Sequence, residues 1–452
     1  MTEGNHSSST LPLEGKTIFV GPQDIACFAS RIAEGLAEGG AHVLLYRQVV
    51  EPFHPVLNYH SNIKLLFNES IKEASRKFSE NKKGKWIARF MLGLFKLGAF
   101  FQALLKVDAC IFIGGRGFIG FPLDYWLLRC FGKKVIHIYI GTASRPRYLS
   151  GFARDILKSK QPSKKQVQKL AKRVKRQSNR VKAIAKFASI VIENPLCGHF
   201  HPKPFINYFQ LGVPVGTYFD QPDHHQPEKP DKSPTRIFHC PSAPEVKGTH
   251  AIDEAVENLK KEGHALNYVK RSGIPHPEVL KEITQADFVI DQLYSDAPLA
   301  GFATEAIALG KNAIVGGYGW QLLKSSLPEE LFPANATCHP EQIESQILSL
   351  VHSPAKSRQM AEEAKSFLNK EWNGLAFSRR ILMLLADEIP DDWWIQPKEI
   401  QYMHGMGLNE EEVRSIIKLM VEQGGESSLC LDHIPELRSR MVRFAQGAKA
   451  DY

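Results

Sequence analysis

The chain has 452 residues, of which 43% are hydrophobic and 23% are charged. These proportions are close to those of ordinary globular proteins and exclude a chain that is disordered or fibrous as a whole, and the length predicts two or three domains at roughly 100–200 residues each. Seven cysteines are scattered without a Cys-x-x-Cys pair, which favours reduced thiols in a cytosolic protein over a disulfide framework.

The N-terminus carries no signal-peptide pattern, because the first ten residues contain neither a basic region nor an apolar run. We predict a disordered tail over residues 1–14. The longest apolar region, 86–107, is interrupted by Arg89, Lys96 and Lys106, whereas a bilayer span needs about 20 residues with few charges. The sequence therefore favours a cytoplasmic protein without a transmembrane helix.

Strand and helix signals alternate through the first half of the chain. Asp24 is placed to cap a helix that follows the first strand and ends at Gly39 and Gly40. This βαβ opening implies a parallel sheet with right-handed crossovers. We predict one doubly wound α/β domain over residues 15–220. Its strands are predicted at 16–21, 41–46, 109–113, 135–140 and 189–192.

A Pro-rich, charged stretch at 221–234 is typical of an interdomain linker, with four prolines among fourteen residues. After it the alternation restarts and predicts a second doubly wound α/β domain over 235–389. Strand signals are absent beyond residue 390, and residues 410–422 and 435–445 have helical patterns. We therefore predict a small, all-helical extension over 390–452.

The positive charge of the chain is concentrated in residues 154–186, which contain thirteen Lys and Arg and one acidic residue, Asp155, for a net charge of +12 (13 − 1). Apolar residues recur there at helical spacing, so the segment is predicted to be a basic amphipathic helix. It either packs into a core and leaves its basic face in water or docks on an anionic membrane leaflet, where each basic residue adds about 1 kcal/mol. Nucleic-acid binding is not expected, because no aromatic residues are interleaved with the charges.

Three segments of the second half, 241–249, 287–293 and 304–311, are similar in order and spacing to the nucleotide-sugar domain of family 4 glycosyltransferases. In the first half, residues 123–135 and 140–145 resemble the acceptor-side pattern of that family, and residues 359–385 resemble its terminal helices, which cross back to the first domain.

The resemblance covers roughly residues 15–385 and implies the GT-B arrangement, in which two Rossmann-like domains face each other across a cleft. It implies a hexosyltransferase of polysaccharide biosynthesis that acts with retention. The donor would be a nucleotide-diphosphate sugar, the acceptor a glycan or lipid-linked molecule, and no metal cofactor is expected.

Two residues match the donor-binding positions of the family. Lys247, which precedes Gly248 and a predicted helix, offers a cation and helix N-terminal amides to a diphosphate. Glu305 offers a carboxylate to the ribose hydroxyls, although acidic residues in a first helical turn also serve as caps. Gly301 and Thr304 precede Glu305, where small residues allow a ligand to approach the backbone or simply form a tight turn.

Four further residues are candidates with open alternatives. Asp291 ends a strand and either faces the sugar or caps a turn. Gly21 is predicted to contact the donor, but a turn after the first strand requires glycine as well. Arg271 is a candidate second contact to the phosphates. Arg145 is predicted to bind the phosphates or an anionic acceptor, and a plain surface role is the alternative.

The sequence also departs from the family pattern. The first of two glutamates that members carry falls at Ala297, and Asp296 could replace it only if the loop shifts. The histidine that precedes the acceptor-side glycine is replaced by Ile140, while His137 lies on the same strand but on the other face. Asp291, Asp296 and His137 are therefore the catalytic candidates. The alternatives are a catalytically degenerate GT-B protein that binds a glycan or a protein partner, and a sugar-nucleotide epimerase.

Overall fold

The computed structural model describes residues 11–25, 27–47, 60–66, 82–118, 123–158, 162–215 and 233–450. Of the predicted tail, residues 1–10 lie outside the described residues, and so do residues 221–232 of the predicted linker.

The N-terminal half forms a largely parallel sheet. Its strands are β1 (Thr17–Pro22), β2 (His42–Leu45), β3 (Ile63–Leu65), β4 (Ala109–Ile113), β5 (Lys134–Ile138), β6 (Ile190–Glu193), β7 (Phe205–Asn207) and, from the C-terminal extension, β13 (Trp394–Ile395). The spatial order is β13-β7-β6-β5-β4-β1-β2-β3, and of these strands β13 alone is antiparallel to its neighbour. The strand order reverses between β1 and β4, which makes the carboxyl ends of these strands the place where such sheets bind ligands.

Helices cover both faces of this sheet. They are α1 (Phe28–Glu38), α2 (Lys82–Lys106), α3 (Leu123–Cys130), α4 (Lys164–Phe187) and the short α5 (Tyr208–Leu211). Asp24 accepts hydrogen bonds from the amides of Ala29 and Ser30 at the start of α1. Ser163 and Gln166 form a capping box that begins α4.

The C-terminal half forms a second parallel sheet in the order β12-β11-β10-β8-β9, which reverses between β8 and β10. The strands are β8 (Thr235–His239), β9 (Leu266–Lys270), β10 (Phe288–Gln292), β11 (Asn312–Gly316) and β12 (Ala336–Cys338). The helices are α6 (Pro244–Lys247), α7 (Thr249–Lys261), α8 (His276–Gln285), α9 (Gly301–Ala308), α10 (Trp320–Ser325), α11 (Ile343–His352) and α12 (Pro354–Glu371).

After α12 the chain returns to the first domain as α13 (Gly374–Ala386), which packs on α1. The two helices approach closely because small residues face each other. The Ser378 hydroxyl donates a hydrogen bond to the Gly35 carbonyl at 2.7 Å. A Cβ atom on Gly35 would lie 2.5 Å from the Pro214 side chain. Helix α13 therefore connects the second domain back to the first, as the resemblance of residues 359–385 predicts.

The C-terminal extension is built into the N-terminal domain. Its helices α14 (Glu410–Gly424) and α15 (Pro435–Ala445) pack over α4. The shared apolar cluster contains Val174 and Val181 from α4 and Ile416, Ile417 and Met441 from the extension. The apolar stripe of the basic segment is therefore covered by protein, which removes apolar surface from water.

The two doubly wound sheets and the helical extension confirm the predicted fold class. Four strands were not predicted, namely β3, β7, β12 and β13, because two or three residues are too few to show a period-2 pattern. The last of these falls within the extension that the sequence predicts to be all helical. Among the described helices, none is long and apolar enough to cross a membrane.

The extension contributes to the stability of the first domain. Ile417 is fully buried in the shared cluster, so we expect Ile417→Ala to lower the free energy of unfolding by about 2–5 kcal/mol. Lys418→Ala, next to it but 61% exposed, should change it by less than about 0.5 kcal/mol. Urea denaturation measures both. An Ile417→Ala curve that coincides with wild type would show that the extension is a separate unit.

Candidate functional site

The C-terminal sheet places two charged candidates beside its switch point. Lys247 ends α6, which follows β8, and Asp291 lies near the end of β10. Lys247 Nζ donates a hydrogen bond to Asp291 Oδ1 at 2.7 Å, and Asp291 is buried. The other oxygen, Asp291 Oδ2, is buried without a hydrogen-bond partner among the described residues. Since an ammonium group has three donors, the ion pair leaves two N–H groups of Lys247 for a ligand.

The N-terminus of α7 lies next to Lys247. It is preceded by Gly248, whose φ of 72° is in the left-handed region, and no side chain caps the helix. A Cβ atom on Gly248 would lie 2.8 Å from the Leu293 side chain, so glycine is required there. The uncapped first-turn amides and the helix dipole form a favourable environment for an anion.

Glu305 lies in the middle of α9, at the boundary between the two domains. Its Oε1 atom is 3.1 Å from His276 Nε2 and 3.6 Å from a guanidinium nitrogen of Arg31, which belongs to α1 of the first domain. Both contacts use Oε1, and Oε2 has no partner among the described residues. The arrangement holds the carboxylate in place and leaves one oxygen for a ligand hydroxyl.

The Cys240 thiol shows that Lys247 and Glu305 lie at the same edge of the sheet. Cys240 follows β8 directly. Burial and the negative charge of Glu305 raise the pKa of Cys240, the positive charge of Lys247 lowers it, and the net result is a pKa of about 11. The charges of both donor-site candidates therefore act on one thiol at the carboxyl end of β8.

The remaining donor candidates have local partners. The Thr304 hydroxyl donates to the Ala300 carbonyl at 2.9 Å. Gly301 begins α9, and a Cβ atom at this position would have no atom of a non-neighbouring residue within 4 Å. Arg271 is half-exposed and 3.3 Å from Glu282. Gly21 lies inside β1, where a Cβ atom would be 2.3 Å from the Tyr46 carbonyl oxygen. The proposed ligand contacts of these four residues stay predictions.

Arg145 and Asp296 form a buried ion pair between the two domains. Burial alone would lower the pKa of Arg145, but the charge of Asp296 raises it above its usual value. The same carboxylate accepts a hydrogen bond from the Cys197 thiol at 3.0 Å, and Asn194 Nδ2 donates to the Asp296 carbonyl at 2.6 Å. These contacts give both residues a role in joining the domains, and the catalytic and anion-binding roles stay predictions.

His137 is completely buried in β5. Its Nε2 lies 2.6 Å from the Gly114 carbonyl and its Nδ1 lies 2.8 Å from the Tyr125 hydroxyl. Burial lowers the pKa of His137 to about 3, so the ring is neutral at neutral pH. Nε2–H therefore donates to Gly114, and Tyr125 donates to Nδ1. Both ring nitrogens are satisfied within the core, which favours the interpretation of His137 as a buried histidine, and its catalytic role stays a prediction.

The N-terminal sheet has a cavity of about 350 Å³ at its own switch point. Gln23 follows β1 and Gly115 follows β4, and both line the cavity. Arg173, Arg176 and Arg180 of α4 line it from one side. Arg116 and Arg147 complete a set of five arginines, with no acidic residue among the described lining residues.

No protein-family model and no curated protein sequence matches the chain. Solved structures that it resembles include WaaG, a glycosyltransferase involved in lipopolysaccharide biosynthesis, at 14% identity and a TM-score of 0.43, over 82% of this chain and 99% of WaaG. Anabaena HepE in complex with UDP-glucose is 11% identical, with a TM-score of 0.42 over 82% of this chain and 99% of HepE. The UDP-forming alpha,alpha-trehalose-phosphate synthase of Burkholderia xenovorans, in complex with glucose-6-phosphate, is 10% identical, with a TM-score of 0.45 over 82% of this chain and all of that one.

The architecture itself defines the class of fold. Two doubly wound parallel sheets meet with their switch points near one interdomain boundary, and α13 returns from the second domain to pack on the first. This is the GT-B fold that the resemblance implies.

The structure also adds residues that the sequence does not single out. Arg31 and His276 hold Glu305, and both come from helices that are distant from it in the sequence. The i, i+3, i+7 spacing of Arg173, Arg176 and Arg180 signals one helix face, whereas Arg116 and Arg147 join them only in the fold. Among the described residues, no group of three His, Cys, Asp or Glu side chains is placed to hold a metal ion, and the expectation that no metal is needed stays a prediction.

Asp296 can be tested as a structural residue. Asp296→Asn leaves the Arg145 guanidinium buried without its counter-ion, and we expect a loss of about 3–5 kcal/mol in the free energy of unfolding. Asp287→Asn serves as the control. Asp287 directly precedes β10, and its carboxylate accepts a hydrogen bond from a backbone amide. We expect this variant to lose less than about 2 kcal/mol of the free energy of unfolding. Chemical denaturation measures both. An Asp296→Asn variant as stable as wild type would contradict the structural role.

Proposed function

We propose that the chain is a glycosyltransferase that uses a nucleotide-diphosphate sugar as its donor. The observation that supports this function is that Lys247 pairs with Asp291 near the end of β10, that Glu305 contacts Arg31 of the first domain, and that the charges of both Lys247 and Glu305 act on Cys240 at the carboxyl end of β8. A cation and a carboxylate at that edge match the two ends of a nucleoside diphosphate, which are the phosphates and the ribose hydroxyls.

Each end of the donor then has a partner. The diphosphate lies against Lys247 Nζ and the uncapped N-terminus of α7. Glu305 Oε2 accepts hydrogen bonds from the ribose hydroxyls, while His276 and Arg31 hold its other oxygen. When the sugar leaves, negative charge develops on the diphosphate. Lys247 and the helix dipole stabilise that charge without any reorganisation during the reaction.

The finer features of the reaction belong to the same proposal. We propose transfer of a hexosyl group with retention by a family 4-like enzyme of polysaccharide biosynthesis, with a glycan or lipid-linked acceptor and no metal ion. Of the catalytic candidates, Asp291 is the carboxylate that bonds to Lys247, at the proposed position of the diphosphate.

One observation favours a second candidate function. Arg145 and Asp296 neutralise each other, and Lys247, the lysine at the proposed diphosphate position, is itself paired with Asp291. A catalytically degenerate GT-B protein that binds a glycan or a protein partner through the same cleft agrees with this arrangement.

We also propose that the protein makes peripheral contact with an anionic membrane through residues 154–186. The apolar residues of α4 pack against the C-terminal extension. Contact through this segment would therefore be electrostatic and made by its exposed Lys and Arg side chains, at about 1 kcal/mol each.

The donor site is tested by isothermal titration calorimetry with UDP-glucose, GDP-glucose and ADP-glucose. We expect one of them to bind, and we expect Lys247→Gln and Glu305→Gln each to weaken that binding about 10- to 100-fold, because each removes a hydrogen bond to a charged group worth roughly 1.5–3 kcal/mol.

Lys261→Gln and Glu254→Gln, two exposed positions on α7, serve as matched controls and should bind as wild type does. Failure of the wild-type protein to bind any of the three donors would overturn the proposal. Binding of a donor with neither transfer of its sugar nor slow hydrolysis would select the degenerate alternative.

A further inference from the structure

The arginine-lined cavity of the first domain, defined by Arg116, Arg147, Arg173, Arg176 and Arg180, is not used by the proposed donor site. Donor binding is assigned to residues after β8 and β10 of the second sheet. The cavity lies after β1 and β4 of the first sheet, where an open α/β sheet binds its own ligand.

The five guanidinium groups are not neutralised by the part of the chain that the structure describes. None of them forms an ion pair with a carboxylate of the described residues. Partial burial lowers the pKa of Arg147, and the positive charges of Arg173 and Arg180 lower it further. Like charges that line one cavity repel each other, and a bound anion would relieve the repulsion.

The wall of the cavity is fixed by Gln177 of α4. Its buried side-chain amide donates to the carbonyls of Thr142, Ala143 and Arg145, at 3.0, 3.2 and 2.7 Å. The same loop carries Arg147 into the cavity and Arg145 to Asp296 of the second domain. The cavity is therefore held against the interdomain boundary on which Glu305 also lies.

We propose that this cavity binds the phosphoryl group of a phosphorylated acceptor, a phosphomonoester or a diphosphate, and presents that acceptor to the donor site. The inference rests on the proposed function where it names the ligand an acceptor, because transfer requires a second substrate beside the sugar nucleotide. Guanidinium groups favour phosphate because their planar donors form paired hydrogen bonds with its oxygens. Five of them suit a group with two or more negative charges better than a neutral sugar.

The anion site is measured with inorganic pyrophosphate by calorimetry, in saturating UDP so that any donor site is filled. We expect the Arg173→Gln/Arg176→Gln double variant to weaken pyrophosphate binding at least about tenfold, since each hydrogen bond to a charged group contributes roughly 1.5–3 kcal/mol. Lys175→Gln is the matched control. It removes one charge from an exposed position of the same helix that does not line the cavity.

Two further probes distinguish the source of the phosphoryl group. Glucose 6-phosphate represents a soluble sugar phosphate, and phosphatidylcholine vesicles that contain a polyprenyl diphosphate represent a lipid-linked acceptor. Arginine-dependent binding of either probe supports the proposal and identifies the source. Equal losses of pyrophosphate binding in Lys175→Gln and in the double variant would show an effect of general surface charge. That result would overturn the proposal.

The double variant should bind UDP-glucose as wild type does, which separates the two sites. Arginine-dependent binding of pyrophosphate without binding of any sugar nucleotide would support the anion site and refute the transferase. Normal binding of UDP-glucose with no binding of pyrophosphate, glucose 6-phosphate or vesicles would refute the cavity alone.

A different observation concerns α2, which exposes an apolar stripe along its length. Trp86, Phe90, Leu94, Phe101 and Leu105 are between 50% and 74% exposed. They recur every four or seven residues and so share one face, and Trp86 stacks on Phe90 with ring centroids 5.7 Å apart. The opposite face, with Phe100 and Ala103, packs in the core. Exposed apolar surface of this extent marks an interaction site.

The charge of α2 indicates what the stripe contacts. Residues 82–106 contain five lysines, one arginine and no acidic residue. Apolar and aromatic residues among basic ones are typical of helices that lie on anionic membranes. Burial lowers the pKa of Lys96 in this helix, and the positive charge of Arg116, which lines the arginine cavity, lowers it further.

We infer that the stripe of α2 docks on an anionic bilayer surface. Vesicle co-sedimentation with phosphatidylcholine, with and without phosphatidylglycerol, measures this. We expect Phe90→Ser/Leu94→Ser to lower partitioning onto the anionic vesicles at least about tenfold, because burial of two large apolar side chains is lost. Phe131→Ser, at a 59% exposed phenylalanine beyond the end of α3, should leave partitioning unchanged.

Partitioning of the double variant equal to that of wild type would overturn this inference. So would a change from dimer to monomer in size-exclusion chromatography together with wild-type vesicle binding, because the stripe would then be a contact between copies of the chain.

Discussion

The buried ion pair between Arg145 and Asp296 is the constraint on which the cleft depends. It joins the two domains where water is excluded, and either charge alone would be costly there. Because the pair is satisfied only when the domains meet, it fixes their separation. Arg31 and Glu305 cross the same boundary and bring the donor edge of the second sheet against the first domain.

The C-terminal extension reinforces this junction through one further arginine. Arg154 bonds to Glu412 of α14 and to the backbone carbonyls of Gly407 and Glu245, and Glu245 belongs to the second domain. Nearby, Tyr318 of the second domain stacks on His404 of the extension with ring centroids 4.1 Å apart. The extension therefore completes the core of one domain and contacts the other.

The two switch points differ in charge, and this difference organises the proposed function. The second sheet presents one lysine, paired with the Asp291 carboxylate, and a second carboxylate, Glu305, held by Arg31 and His276. The first presents five arginines without counter-ions among the described residues. A balanced site suits a ligand with both an anionic and a hydroxyl-bearing end, and an unbalanced one suits an anion. Two substrates with different chemistry can then meet at one boundary.

The sequence by itself determined the two doubly wound domains, the positions of their long strands along the chain, and the candidates Lys247 and Glu305. It could do so because buried strands, helix caps and motif spacing are local patterns. It also predicted an amphipathic helix in the basic segment 154–186, although that helix begins only at Lys164. Only the tertiary structure decided that α14 and α15 cover its apolar face, that Arg145 meets Asp296, and that Arg116 and Arg147 join the arginines of α4. These are contacts between residues distant in sequence, and they depend on how helices and sheets pack, which no local pattern specifies.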